Sequence, residues 1–315
     1  MTRISRIALL VTFFVATLSS QALAASAGQT CKSVGSTSTS SVKGKKVSLV
    51  CTKAGKSLKW KRVSSTLQIP PITTGLKITD EISASDPSLH SISVNGSPKR
   101  SYILHVPSNY SSTTAIPLMI ALHGHSWTAS RFRETTQLDQ VADSKNFIIA
   151  YPDGEGNMWN AGNCCANATT NQENDLLLTS TVIDFVKSNY AVDSARIWAA
   201  GHSNGGMMAY RLACDLSDKI TAVAVVTGAL MDPTCTPAKQ VSLLHIHGDL
   251  DPTVPYQGGA KFETPNIFYS VVDYTKAIAC NGSTASNITN DEQRYLWNCS
   301  NGAQVELVNY MSQSH

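Results

Sequence analysis

From about residue 85 onward, short apolar runs alternate with longer amphipathic stretches. PLMIALHG (residues 117–124), NFIIAYPDG (146–154), ARIWAAG (195–201), TAVAVVTG (221–228) and VSLLHIHG (241–248) are predominantly apolar and close on glycine. That is the pattern of strands buried on both faces. RSYILHVP (100–107), closed by proline, predicts an edge strand, and AQVELVNYM (303–311) a final strand. Between them DLLLTSTVIDFVKSNY (175–190), NGGMMAYRLAC (204–214) and NIFYSVVDYTKAIA (266–279) carry their apolar residues at helical spacing. Strands alternating with helices predict an α/β domain over residues 85–315. Its sheet is mostly parallel with helices on both faces, and its ligands sit at the carboxyl ends of the strands.

The first 24 residues follow a different rule. Arg3 and Arg6 precede the apolar run IALLVTFFVATL, and Ala22-Leu23-Ala24 supplies small residues at a cleavage position. This predicts a secretory signal peptide, cut after Ala24 or after Ala27; the run is too short for a membrane anchor. Residues 28–62 carry nine basic side chains and no acid, whereas the whole chain is only +3, so the remainder is acidic. KKVSLVCTK and KSLKWKR within this stretch read as short strands joined by Ala-Gly, a small basic β module. Its charge suits contact with an anionic surface or polymer. With Trp60 as its one aromatic residue it lacks the stacking platform of a nucleic-acid binder. Residues 63–84, with Pro70-Pro71, read as a linker.

Export permits disulfides, and an even count of eight cysteines favours them. Cys31 with Cys51 and Cys280 with Cys299 each flank a hairpin-like stretch and are expected to pair. Cys164, Cys165, Cys214 and Cys235 leave the pairing open, except that adjacent Cys164 and Cys165 are expected to take different partners.

The chemistry concentrates where strand 195–201 meets helix 204–214. Gly201-His202-Ser203-Asn204-Gly205 is a G-x-S-x-G sequence in a strand–turn–helix context, which presents a serine on a sharp turn. A serine needs a base, and in this context the acid and then the histidine follow it along the chain. Asp251, in the loop after VSLLHIHG, is the expected acid, ahead of its competitor Asp249. Of the eight histidines only His315 follows Asp251, which makes it the expected base. Two backbone N–H groups are needed for a developing oxyanion. They are expected from Asn204 and from His125, while His123 is expected to be structural.

LHGH (122–125), YPDG (151–154), WNAGNCC (159–165), GHSNGGMMAYRLAC (201–214), HIHGDLDPTVPYQGG (245–259) and SQSH (312–315) together resemble the secreted esterases grouped as polyhydroxybutyrate depolymerases and feruloyl esterases, of the α/β-hydrolase fold. The resemblance implies Ser203, Asp251 and His315 as the catalytic triad and an ester, polymeric or short-chain, as substrate. It also places Trp159 and Asn160 beside the substrate. Residues 28–62 resemble the Cys/Gly/Trp modules that begin some exported actinobacterial proteins. Two departures stand out. The family usually has cysteine where His125 stands, and it continues past its histidine with a Trp-Pro-Gly turn, so the sequence reads as truncated.

Two rival readings frame the structural test. His245, His247 and Asp249 in HIHGDLD form an H-x-H-x-D pattern known from zinc hydrolases, although that pattern adds a histidine where Leu250 stands. Alternatively, a catalytically silent α/β-hydrolase could serve as a surface-binding protein. The esterase reading requires no cofactor or metal.

Overall fold

The structure is a computed structural model. It describes residues 30, 37–42, 45–54, 57–62, 77–97, 99–165, 173–259, 263–289 and 291–315. The signal-peptide residues 1–24 and the Cys31 end of the expected Cys31–Cys51 bridge lie outside the described residues. The chain divides into two units, Met1–Val63 and Ser64–His315. In the first, β1 (Thr37–Val42), β2 (Lys45–Ala54) and β3 (Ser57–Arg62) form an antiparallel sheet in which Cys51 stands opposite Trp60.

The second unit is built on an eleven-stranded sheet. Six strands form its parallel centre. In spatial order they are β8 (Ile148–Pro152), β7 (Ile116–Leu122), β9 (Val192–His202), β10 (Ala222–Val226), β11 (Ser242–Gly248) and β14 (Gln304–Tyr310). Antiparallel strands extend both sides. β6 (Arg100–His105), β5 (Leu89–Val94) and β4 (Ile78–Ile82) lie beyond β8, and β13 (Glu292–Cys299) and β12 (Cys280–Thr289) beyond β14. Two expectations change here. RSYILH is not an edge strand, because β5 and β4 pair outside it, and residues 78–82, placed by sequence in a linker, form the true edge. Both strands are short and half-polar, so their apolar pattern is too weak to stand out.

Helices cover both faces. On β7 the side chains of Leu118, Ile120 and Leu122 pack into one core with α3 (Asp175–Asn189), α4 (Asn204–Asp215) and α5 (Ile267–Ala277). Met119 and Ala121 face the other core, beside α1 (Ala129–Thr136) and α2 (Leu138–Lys145). This is the period-two alternation of a strand between two layers. The two short helices α1 and α2 carry few apolar residues and are not evident in the sequence pattern. Side-chain oxygens of Thr128, Asn174 and Asn266 accept backbone N–H bonds at the starts of α1, α3 and α5, satisfying donors that a helix start leaves free. α4 is buried along most of its length, with Met208, Tyr210 and Leu212 fully enclosed. Each such side chain contributes about 2 kcal/mol of burial, so the helix behind Ser203 is held firmly.

Disulfides join Cys214 to Cys235 and Cys280 to Cys299, with Cα atoms 5.2 Å and 4.0 Å apart. The second closes the β12–β13 hairpin at its open end. The expectation that Cys164 and Cys165 take different partners is corrected: they bond each other. That expectation rested on the strain of a bridge between chain neighbours. The peptide between them is cis and their Cα atoms are 3.0 Å apart.

Candidate active site

Strand register assembles the site. Leu122 of β7 stands opposite Gly201 of β9, His202 opposite Val226 of β10, Val226 opposite Ile246 of β11, and Gly248 of β11 opposite Tyr310 of β14. The carboxyl ends of five strands are therefore level. The loops that follow them, which begin with His123, Ser203, Thr227, Asp249 and Met311, share one rim of the sheet.

Ser203 sits at that rim with φ 55° and ψ −121°, immediately before the first residue of α4. A non-glycine residue in this region is strained by about 1–3 kcal/mol, a cost that persists only where surroundings enforce it. They do so here through two glycines. A Cβ on Gly201 would overlap the carbonyl group of Gly205, and one on Gly205 would overlap the carbonyls of Leu122 and His123. The backbone is fixed further by the Ser203 N–H, which donates to Val226 O at 2.8 Å. Ser203 is buried within this turn and retains 8% exposure.

The loop after β7 lies against the serine. A Cβ on Gly124 would stand 3.6 Å from Ser203 Cβ and 3.0 Å from His202 Nδ1. Among the described residues, the N–H groups of His125 and Asn204 donate to no protein acceptor. His123, buried beneath them, is fixed as a neutral imidazole. Its Nδ1–H donates to Gly124 O at 2.8 Å, and its Nε2 accepts from Gly154 N–H at 2.9 Å. It is structural, since both nitrogens are occupied in shaping the loop.

His315 and Asp251 meet at the other side of the rim. His315 Nδ1 is 2.7 Å from Asp251 Oδ2, and its ring centroid is 5.0 Å from that of His202. The Asp251 side chain is fully enclosed, whereas that of His315 is 19% exposed. Asp251 Oδ1 accepts the N–H groups of Thr253 and Val254, both at 2.8 Å. Asp249 does different work: its Oδ1 accepts Ser312 N–H at 2.6 Å and ties the segment leading to His315 onto β11. With Nδ1 committed to Asp251, His315 Nε2 is the nitrogen left for chemistry. No hydrogen bond joins it to the Ser203 hydroxyl among the described residues, and such bonds commonly tighten only with substrate present. A cavity of about 520 Å³ opens on the His315 side, lined by His202, Val226, Ile246, Tyr310 and Met311.

Trp159 and Asn160, expected beside the substrate, are corrected to scaffold positions, being 0% and 4% exposed. The Asn204 side chain clamps the Trp159 main chain, accepting its N–H at 2.7 Å and donating to its O at 3.1 Å. The Trp159 indole N–H donates to His123 O at 2.8 Å. Asn160 N–H donates to buried Asp175 at 2.7 Å, and its carbonyl accepts from Arg211. These residues hold the backbone beneath the site and present no face to a ligand. A further aromatic residue near the rim is Trp127, which carries no role in the sequence analysis. It lies 5.8 Å from the His202 ring and carries the Arg131 guanidinium 4.4 Å over its face. The G-H-S-W string that contains it has no spacing signal that would have singled it out.

Among the described residues no cluster of three or more histidine, cysteine or acidic side chains is placed to hold a metal ion. His245 and His247 have all four ring nitrogens in hydrogen bonds with protein atoms, so neither turns a lone pair toward a cation.

Buried imidazoles make stability depend on pH. Burial pushes His123, His245 and His247 below the ordinary histidine value, and burial followed by the nearby His315 pushes His202 down to about 4. The unfolded chain takes up these protons near pH 6.5, whereas the native protein resists until lower pH. Stability is therefore complete above pH 6.5 and is expected to fall by a few kcal/mol on the way to pH 4. Urea midpoints measured across that range should decline steadily, and a flat profile would contradict the neutral-imidazole assignment.

Comparison with known proteins fits this geometry. The family model described as "Putative esterase" matches residues 95–272. Feruloyl esterase B of Piromyces equi is 29% identical over 236 residues, 69% of this chain and 42% of that protein. The bifunctional acetylxylan esterase/xylanase XynS20E of Neocallimastix patriciarum is 25% identical over 219 residues, 67% of this chain and 30% of that protein. The chain thus spans less than half the length of these curated relatives. An acetyl xylan esterase from Aspergillus awamori has a similar solved structure, with TM-score 0.54 and 15% identity over 76% of this chain and 94% of that one. At that identity the likeness speaks for the fold alone, which is the α/β-hydrolase fold.

Proposed function

This chain belongs to the esterase family, and we propose that it is a secreted serine carboxylic-ester hydrolase whose triad is Ser203, Asp251 and His315. The observation that carries the reading is the buried Asp251 carboxylate 2.7 Å from His315 Nδ1, on the same sheet rim as the strained Ser203 turn. Ser203 Oγ attacks the ester carbonyl carbon while His315 Nε2 takes its proton. Asp251 orients the imidazole and stabilises its charged form. The carbonyl oxygen, now negative, rests on the N–H groups of His125 and Asn204, each donor contributing about 3 kcal/mol. The His125 contribution comes from the backbone, so histidine in place of the family's usual cysteine leaves it available. His315 then returns the proton to the departing alcohol. A water molecule, deprotonated by the same nitrogen, hydrolyses the acyl-serine.

The substrate class is an ester of the feruloyl, acetyl or polyhydroxyalkanoate kind, short-chain or polymer-linked. The basic unit at residues 28–62 is assigned to contact with an anionic polymer or surface, on its charge. The signal-peptide pattern and the disulfides support export.

A fluorophosphonate probe tests the assignment directly. We expect stoichiometric labelling at Ser203 and loss of p-nitrophenyl acetate hydrolysis in step with it, with activity unchanged by a strong chelator. A folded chain that is neither labelled nor active would overturn the reading in favour of a silent binding protein. Hydrolysis without labelling, abolished by the chelator, would favour metal chemistry. Polyhydroxybutyrate, methyl ferulate and acetylated xylan then rank the substrates.

A further inference from the structure

Behind the Asp251–His315 pair lies a row of buried polar side chains that the triad mechanism leaves unused. Tyr210 on α4 and His245 on β11 are 0% exposed and His247 is 1% exposed. His245 and His247 are two residues apart on one strand, hence on the same face of the sheet. The Tyr210 hydroxyl is 2.8 Å from His245 Nδ1, His245 Nε2 is 3.0 Å from His247 Nδ1, and His247 Nε2 is 2.8 Å from Val254 O. His247 Nε2 also stands 3.4 Å from Asp251 Oδ2, the oxygen that His315 uses.

Only one arrangement of protons satisfies these contacts. Val254 O can only accept, so His247 carries its proton on Nε2. Its Nδ1 must then accept, which puts the His245 proton on Nε2, and His245 Nδ1 accepts from the Tyr210 hydroxyl. Burial, the largest influence on both imidazoles, keeps them neutral and so preserves this order. The row ends on the turn that holds Asp251. Asp251 Oδ1 closes the turn through Thr253 and Val254 N–H, and His247 fixes the same turn through Val254 O.

We propose that Tyr210, His245 and His247 are positioning residues, a proton-ordered row that holds the Asp251 carboxylate in place against His315. The proposal rests on the triad reading above. Losing the His247 N–H releases the Val254 carbonyl and lets the turn carry Asp251 away from the imidazole. A less closely held carboxylate stabilises protonated His315 less, so the proton leaves more readily. The titratable groups around the row are Asp251 and His315 at its end, His202 across from His315, Tyr256 beside His247 and Tyr274 beside Tyr210.

The test compares His247→Leu, His247→Gln and Tyr210→Phe with the unaltered full chain on a p-nitrophenyl ester, with rates normalised to fluorophosphonate-labelled Ser203. For His247→Leu, kcat is expected to fall about 10–100-fold, as for other groups that orient an active-site ligand, with KM unchanged. The acid limb of the kcat/KM profile should move to lower pH. His247→Gln, whose amide N–H can again donate to Val254 O, should recover most of the rate and return the limb. Tyr210→Phe should shift the limb in the same direction by a smaller amount and carries the test if His247→Leu does not fold. An acid limb unmoved in every folded variant, with losses that vanish on normalisation, would overturn the proposal. Failure of the triad reading itself would look different, since Ser203 in the unaltered chain would then not be labelled.

Discussion

Ser203→Ala is expected to lower kcat on a p-nitrophenyl ester by at least about 10⁴-fold, with the cooperative unfolding transition intact. The size follows from what one oxygen does. Without Oγ no acyl-enzyme forms, and Asp251 and His315 cannot compensate because neither is placed to attack carbon. What remains is binding and oxyanion stabilisation, which in comparable triads leave a small residual rate. The fold should tolerate the change because alanine keeps the Cβ, and the turn is enforced by Gly201, Gly205 and the Ser203 N–H bond to Val226 O. Removing a partly solvated hydroxyl from position 203 also leaves no buried partner unpaired among the described residues. Turnover within about tenfold of the unaltered protein, under conditions that exclude contamination, would refute the nucleophile assignment.

Asp251→Asn is expected to cost about 10⁴-fold in kcat, and the structure says why so small a change should do so much. The carboxylate accepts on both oxygens: Thr253 and Val254 N–H on Oδ1, His315 Nδ1–H on Oδ2. An asparagine must keep its carbonyl oxygen toward the two backbone donors, because turning its NH₂ there would set donors against donors. Its NH₂ is therefore left facing His315 Nδ1. A donor in that position forces the imidazole to carry its proton on Nε2, the nitrogen that must accept from Ser203. Fluorophosphonate labelling should slow in proportion to turnover, while circular dichroism stays unchanged. If the Asp251→Asn protein kept a tenth of the activity, another group would have to orient His315. Asp249→Asn separates the two acids. Asp249 holds the Ser312 N–H and, among the described residues, makes no hydrogen bond to His315, so its loss is expected to cost far less.

Much of this site could be read from the linear chain. The run ARIWAAG followed by HSNGG places a serine between strand and helix, and the physical need for small residues around a sharp turn makes that local pattern informative. The position of the histidine was legible by order, since His315 is the one histidine after Asp251. The choice between Asp249 and Asp251 was harder to read. Both lie in one loop, and which one reaches His315 depends on how β14 returns beside β11. WNAGNCC illustrates the opposite failure. Its motif marks a place near the nucleophile, yet nothing in the letters says that Trp159 points inward, where the Asn204 side chain grips its backbone. H-x-H-x-D carried a metal-like spacing, but spacing along a strand specifies only a shared face. The Tyr210 hydroxyl and the Val254 carbonyl, which occupy those imidazoles, come from other elements.

By itself, then, the sequence determined the layered α/β plan, the sharp serine turn and the chain order Ser203, Asp251, His315. Each of these follows from burial pattern and backbone sterics acting over a few neighbouring residues. Only the tertiary structure decided that Asp251 rather than Asp249 meets His315, that Cys164 bonds Cys165, that Trp159 and Asn160 are scaffold, and that a histidine row lies behind the acid. Apart from the bond between neighbouring Cys164 and Cys165, those outcomes depend on strand register and on hydrogen bonds between residues as far as 64 positions apart. Which donor meets which acceptor across such a span is settled when the elements pack.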